Sequence, residues 1–148
     1  MSKETTYESR SGAVPCGAGD LYAFLTDVRN LGTVIPKGSV TDWQADEKSC
    51  SFRVENAGTV TASVAVAMPY SRIEYLVRTF ITGEVTLIVD IDPVDANRSK
   101  ITISASVHLN PFVKMAVGDA AGKYLDIIIT AIEKYDGYDR IRGYTQSP

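Results

Sequence analysis

The chain has 148 residues, of which 45% are hydrophobic and 22% charged, with a formal net charge of −3. Those are globular proportions and exclude a largely disordered chain. The acidic balance also argues against a general nucleic-acid binder, which needs a basic face to neutralise phosphates. No segment approaches the run of about 20 apolar residues needed to span a bilayer. Met1 to Arg10 is polar and lacks the apolar stretch of a secretory signal. A cytoplasmic protein is the expectation, unless a processed leader precedes this sequence. With no repeat and no internal linker, residues 1–148 read as one domain, with a core over about 4–137 and a tail over 138–148.

Thr5 to Val14 reads as a first strand, opened by β-favouring Thr, Thr and Tyr and ended by Pro15. Pro15-Cys-Gly-Ala-Gly19 is a turn. Asp20 suits the positive end of a helix dipole, and Leu21, Phe24, Leu25 and Val28 follow at helical spacing. Leu31, Val34 and Ile35 continue as a second short helix, stopped by Pro36-Lys-Gly38.

From Val40 to about Leu109 the period changes to two. Cys50, Phe52 and Val54 alternate with Ser49, Ser51 and Arg53; Val60, Ala62, Val64 and Val66 alternate with Thr59, Thr61 and Ser63. Ile73, Tyr75 and Val77, then Val85, Leu87, Val89 and Ile91, then Ile101, Ile103, Ala105, Val107 and Leu109 repeat the pattern. Each strand has one apolar and one largely polar face, as in an antiparallel sheet covered on one side. The links are short and polar, as hairpins require: Asp46-Glu-Lys48, Asn56-Ala-Gly58, Pro69-Tyr-Ser71, Thr82-Gly83 and Pro93 to Asn97.

Asn110-Pro111 then combines a preferred N-cap with a residue favoured at the first helical position. One long helix is expected from Pro111 to about Tyr135, with Val113, Val117, Ala120, Tyr124, Ile128, Ala131 and Tyr135 as its apolar stripe and Gly137 as its stop. At 1.5 Å per residue it would span some 37 Å, enough to cross the sheet. The fold class is therefore α+β: a curved antiparallel sheet of about seven strands wrapped around a long C-terminal helix, with two short helices after strand 1.

This order resembles the START-like (SRPBCC) superfamily, which includes the birch-pollen allergen, polyketide cyclase-like proteins and lipid-transfer domains. The resemblance rests on the first strand running into Asp20-Leu-Tyr-Ala-Phe-Leu-Thr-Asp-Val-Arg-Asn30, on the Leu31 to Pro36 segment, and on Leu109-Asn-Pro-Phe112 opening the final helix. Trp43-Gln-Ala45, Cys50-Ser-Phe52 and Gly58 also resemble small bacterial members. The resemblance implies a helix-grip fold with a cavity between sheet and helix that takes hydrophobic ligands. It implies no common catalytic signature.

Small side chains cluster on the expected inner face: Ala62, Ala105, Gly118, Ala120, Ala121 and Gly122. Glycine inside a helix costs about 1 kcal/mol relative to alanine, so two within five positions call for a reason, either room for a ligand or close packing on the sheet. The expected lining is Trp43, Phe52, Val64, Tyr75, Leu87, Ile103, Ala105, Met115, Asp119, Gly122 and Tyr124. A hydrophobic small molecule or lipid is the expected partner. Two other readings stay open: a cyclase-like enzyme using Tyr75, Tyr124 and Asp119, and a protein-interaction domain with a filled core. Alternation puts His108, the only histidine, on the outer face with Ser104 and Ser106. It has no partner at metal-ligand spacing, so no catalytic residue, cofactor or metal is expected. Gly12, Gly17 and Gly19 match no phosphate-binding loop. Cys16 and Cys50 lack CxxC spacing and read as reduced thiols, with a single disulfide as the alternative. The tail from Tyr135 to Tyr144, rich in aromatics and charge, reads as a docking segment or a frayed end.

Overall fold

The computed structural model describes residues 3–35, 40–55, 58–79, 83–135 and 137–138. The expected stop at Pro36-Lys-Gly38, the tip Asn56-Ala57, Thr82 and the tail over 139–148 lie outside them. Eight strands form one antiparallel sheet. They are β1 (Lys3–Glu8), β2 (Gly12–Val14), β3 (Val40–Ala45), β4 (Ser49–Val54), β5 (Gly58–Met68), β6 (Arg72–Thr79), β7 (Gly83–Asp95) and β8 (Arg98–Leu109). The order is β1-β8-β7-β6-β5-β4-β3, and β2 also pairs with β8. Hairpins make every link from β3 to β8, and β1 and β2 reach across to pair with the last strand.

The expected first strand is two strands. β1 pairs Lys3 with Leu109, whereas β2 pairs Gly12 with Ile101, a register one residue out of step. Ser9 fills the break: its amide donates to the Ile103 carbonyl, and its hydroxyl accepts from the Ile103 amide at 2.9 Å. A side-chain oxygen thus replaces the ladder carbonyl, and the chain bends there.

Helix α1 (Ala18–Thr26) buries Leu21, Phe24 and Leu25 against the sheet. The second short helix is a 3₁₀ turn over Val28–Thr33, two or three residues earlier than the apolar spacing implied. Asp27 caps it, accepting from the Arg29 amide and pairing with the Arg29 guanidinium at 2.6 Å.

The long C-terminal helix is not continuous. Helix α2 (Pro111–Val117) begins as expected, with the Asn110 side chain accepting from the Val113 amide at 2.9 Å. It ends at Gly118, whose φ of 51° and ψ of −130° are open to glycine and strained for any other residue. Helix α3 (Ala120–Lys134) restarts after Asp119 and buries Leu125, Ile129 and Ile132, while α2 buries no side chain. The core runs past the expected end at residue 137. Tyr138 is buried, packs edge-on against Phe24, and donates its hydroxyl to the Ile132 carbonyl at 2.8 Å.

A charged clamp at the β1–β2 break holds α3 on the sheet. The Arg10 amide donates to Asp126 Oδ1 at 2.7 Å, and the Arg10 guanidinium bonds Glu133 at 2.6 Å and Thr130 at 2.8 Å. Glu133 also accepts from the Ala13 amide at 2.9 Å. A Cβ on Gly12 would sit 2.6 Å from Ile129, so glycine is needed where helix and strand meet.

The two α3-proximal glycines should separate by mutation. Gly118→Ala should lose about 1–3 kcal/mol to backbone strain. Gly122→Ala, where a Cβ would meet only the Glu8 carbonyl at 3.8 Å, should gain about 0.5 kcal/mol in helix propensity. Urea unfolding of both variants checks the contrast.

Arg10 holds the Glu133 carboxyl below its ordinary value, chiefly through the side-chain hydrogen bond. Such a group stabilises the fold fully above its unfolded pKa of about 4.3, and that stabilisation is lost as pH falls through the depressed folded value. Glu133→Gln should therefore melt below the parent at neutral pH. The gap should close as the melts are taken below about pH 4.

Candidate ligand-binding hollow

Pairing places the inner-face side chains in rows across the sheet. One row is Tyr7, Ala105, Leu87, Tyr75 and Val64. The next is Thr5, Val107, Val85, Val77 and Ala62. On the other side of the first row lie Ile103, Val89 and Ile73, all buried where α1 packs on β6, β7 and β8.

Cover thins away from α1. Helix α3 packs on β1, β2 and β8, and α2 meets β8. The 3₁₀ turn covers β3 and β4, where Trp43 stacks on Phe52 with centroids 5.6 Å apart and also lies against Gly32. Between these covers, Ala62, Val64, Val77, Val85 and Leu87 remain only half-buried. Five neighbouring apolar side chains on the concave face thus keep contact with solvent, which apolar surface avoids unless something else covers it.

The expected lining divides accordingly. Val64 and Leu87 are half-buried, Ala105 is buried in the same row, and Trp43 stacks on Phe52 at the β3–β4 side. Ile103 belongs to the closed core. Tyr75 is buried, but its hydroxyl donates to the Leu25 carbonyl, so it ties β6 to α1 and has no need of a ligand partner. Burial pushes that phenol well above its ordinary pKa.

The helical candidates Met115, Asp119 and Tyr124 are exposed on the two-piece helix. Met115 is 82% exposed, Asp119 is exposed, and Tyr124 is 44% exposed. Gly122 faces the Glu8 backbone and lines no hollow. With Asp119 in solvent and the Tyr75 hydroxyl engaged, the Tyr75–Tyr124–Asp119 constellation does not assemble. His108 is exposed on the outer face, 3.9 Å from Glu4. Cys16 and Cys50 are buried and not joined in a disulfide, and burial pushes the Cys50 thiol up, which disfavours a thiolate. No metal-binding cluster occurs among the described residues.

Sequence reasoning missed two features. Tyr7 and Thr5 lie on the inner face, each with a buried hydroxyl that has no hydrogen-bond partner among the described residues. The signal was present: Thr5 and Tyr7 are two apart, in step with the apolar alternation once β1 pairs with β8. A pocket of about 600 Å³ lies on the outer face of β3–β6 and is lined by Gln44, Ser51, Thr61, Ser63, Leu76 and Arg78 among others. It is open to solvent, and Arg78 is already paired with Glu84 at 3.1 Å.

No protein-family model and no curated protein matches the chain. Solved structures do. A truncated norcoclaurine synthase from Thalictrum flavum superposes with a TM-score of 0.68 at 9% identity, covering 92% of this chain and 98% of that one. A START superfamily protein from Mycobacterium smegmatis gives 0.68 at 13% identity, covering 95% and 98%. A conserved protein from Geobacillus kaustophilus gives 0.66 at 11% identity, covering 95% and 96%. The chain therefore has the START-like (SRPBCC) helix-grip fold, with a curved antiparallel sheet, short helices after its first strands and a C-terminal helix.

Tyr75→Phe should leave the buried Leu25 carbonyl unpaired and lose about 1–3 kcal/mol. Chemical denaturation measures it, and an unchanged midpoint would show that the hydroxyl contributes nothing to holding α1.

Proposed function

We propose that this protein binds a hydrophobic small molecule in the hollow between the concave sheet face and the C-terminal helices. One observation carries the reading: the neighbouring side chains Ala62, Val64, Val77, Val85 and Leu87 stay half-buried although they lie on the face that the helices cover elsewhere. Ligand sites are concave and mostly apolar, with few polar groups, and this lining has that character. The fold supports the same reading, since a START superfamily protein and norcoclaurine synthase share it. The ligand would provide the apolar cover that α2 does not. The protein would act as a binder or carrier. No assembled acid–base pair favours a reaction in the hollow. No helix among the described residues is long and apolar enough to cross a membrane.

The test is native mass spectrometry of the protein as isolated from its expression host, followed by extraction of any bound molecule. A near one-to-one apolar adduct is expected. Val64→Trp and Leu87→Trp should each fill part of the hollow and reduce the adduct at least tenfold, with the far-ultraviolet circular dichroism retained. An adduct that persists in both variants would place the bound molecule elsewhere, the outer-face hollow being the first alternative.

A further inference from the structure

The inner face carries two polar atoms that its own fold leaves without partners. The Tyr7 hydroxyl and the Thr5 hydroxyl are both buried, and neither has a hydrogen-bond partner among the described residues. Such orphans are uncommon in folded proteins, because a buried polar group without a partner loses its hydration for nothing. Their neighbours are apolar. Tyr7 pairs with Ala105 and Thr5 with Val107, and the rows continue through Leu87 and Val85 to Val64 and Ala62. Two buried, unpartnered hydroxyls at the β1 edge therefore end the rows that carry the half-buried apolar side chains.

Charge on that surface is the second consideration. The two rows contain no ionisable group besides the tyrosines, and Tyr75 is held neutral by burial. On α3, Asp126 and Glu133 are already bonded to Arg10, and Asp119 is exposed. A carboxylate or ammonium entering the hollow would lose its hydration and meet no opposite charge within these two rows, a heavy penalty. A neutral hydroxyl or carbonyl would instead find a donor and an acceptor on each of Tyr7 and Thr5.

Resting on the ligand-binding reading above, we infer that the hollow selects an apolar molecule bearing one uncharged hydrogen-bonding group, an alcohol, phenol or ketone, seated against Tyr7 and Thr5. It discriminates against the ionised acid of the same skeleton.

Three probes of one skeleton test this on the intact chain at pH 7: naphthalene, 2-naphthol and 2-naphthoate, titrated by two-dimensional NMR. 2-Naphthol is expected to bind about 5- to 10-fold more tightly than naphthalene, the value of one well-made hydrogen bond, and 2-naphthoate more weakly than either. Tyr7→Phe combined with Thr5→Val should abolish the preference for 2-naphthol over naphthalene. Equal binding of naphthalene and 2-naphthol, unaffected by the double variant, would overturn the headgroup assignment while leaving the apolar hollow standing. Tightest binding of 2-naphthoate would also overturn it, by revealing a cation within reach. If none of the three shifts the inner-face resonances, the ligand-binding reading falls, and this inference with it.

Discussion

The structure depends on one mismatch of area: a sheet of eight strands presents a single apolar face that its helices only partly cover. An antiparallel sheet patterned on one side must bury that side. Here α1 closes the Ile73–Val89–Ile103 end, while α3, with 15 residues, lies along β1, β2 and β8. The middle of the concave face is left to something else. The curvature that wraps the sheet around the helices also makes this uncovered region a hollow and keeps it from being a flat patch.

Polar contacts decide where the cover goes. The one-residue break at Ser9 bends the first strand and brings Arg10 and Ala13 to α3, where Asp126, Thr130 and Glu133 hold them. These are charge-assisted bonds to backbone and side chain together, more directional than apolar contact. They set α3 over the β1–β8 side, with Gly12 permitting the close approach to Ile129. The Tyr75 hydroxyl does the same for α1 from the opposite side of the hollow. The half-buried stretch of the concave face thus lies between elements pinned by hydrogen bonds.

The break at Gly118 has the largest consequence for chemistry. As expected lining, Met115, Asp119 and Tyr124 would have faced the sheet. In the two-piece helix they point to solvent, with Phe112 also 85% exposed. Among the described residues, the two central rows of the concave face are apolar except for hydroxyls, and no acid–base pair assembles there. That is why the binding reading stands above the cyclase-like one.

Much of the fold was legible in the sequence because period-two alternation is a local property. Val60, Ala62 and Val64 declare their shared face whatever they pair with, and Asn110-Pro111 declares a helix start through its own backbone chemistry. The START-like order of elements was likewise readable from Asp20 to Asn30 and from Leu109 to Phe112. The site was less legible. A glycine in a helical pattern does not say whether it sits in the helix or ends it, and Gly118 ends it while Gly122 does not. Alternation gives the face of a side chain but not whether that face is covered, so Ile103 and Leu87 look alike in sequence and differ in burial. By itself the sequence determined the face of most sheet side chains, though not of Val66, which a bulge in β5 turns outward. Only the tertiary structure decided which of them are left uncovered and which hydroxyls lack partners, because cover and hydrogen bonding depend on elements brought together from distant parts of the chain.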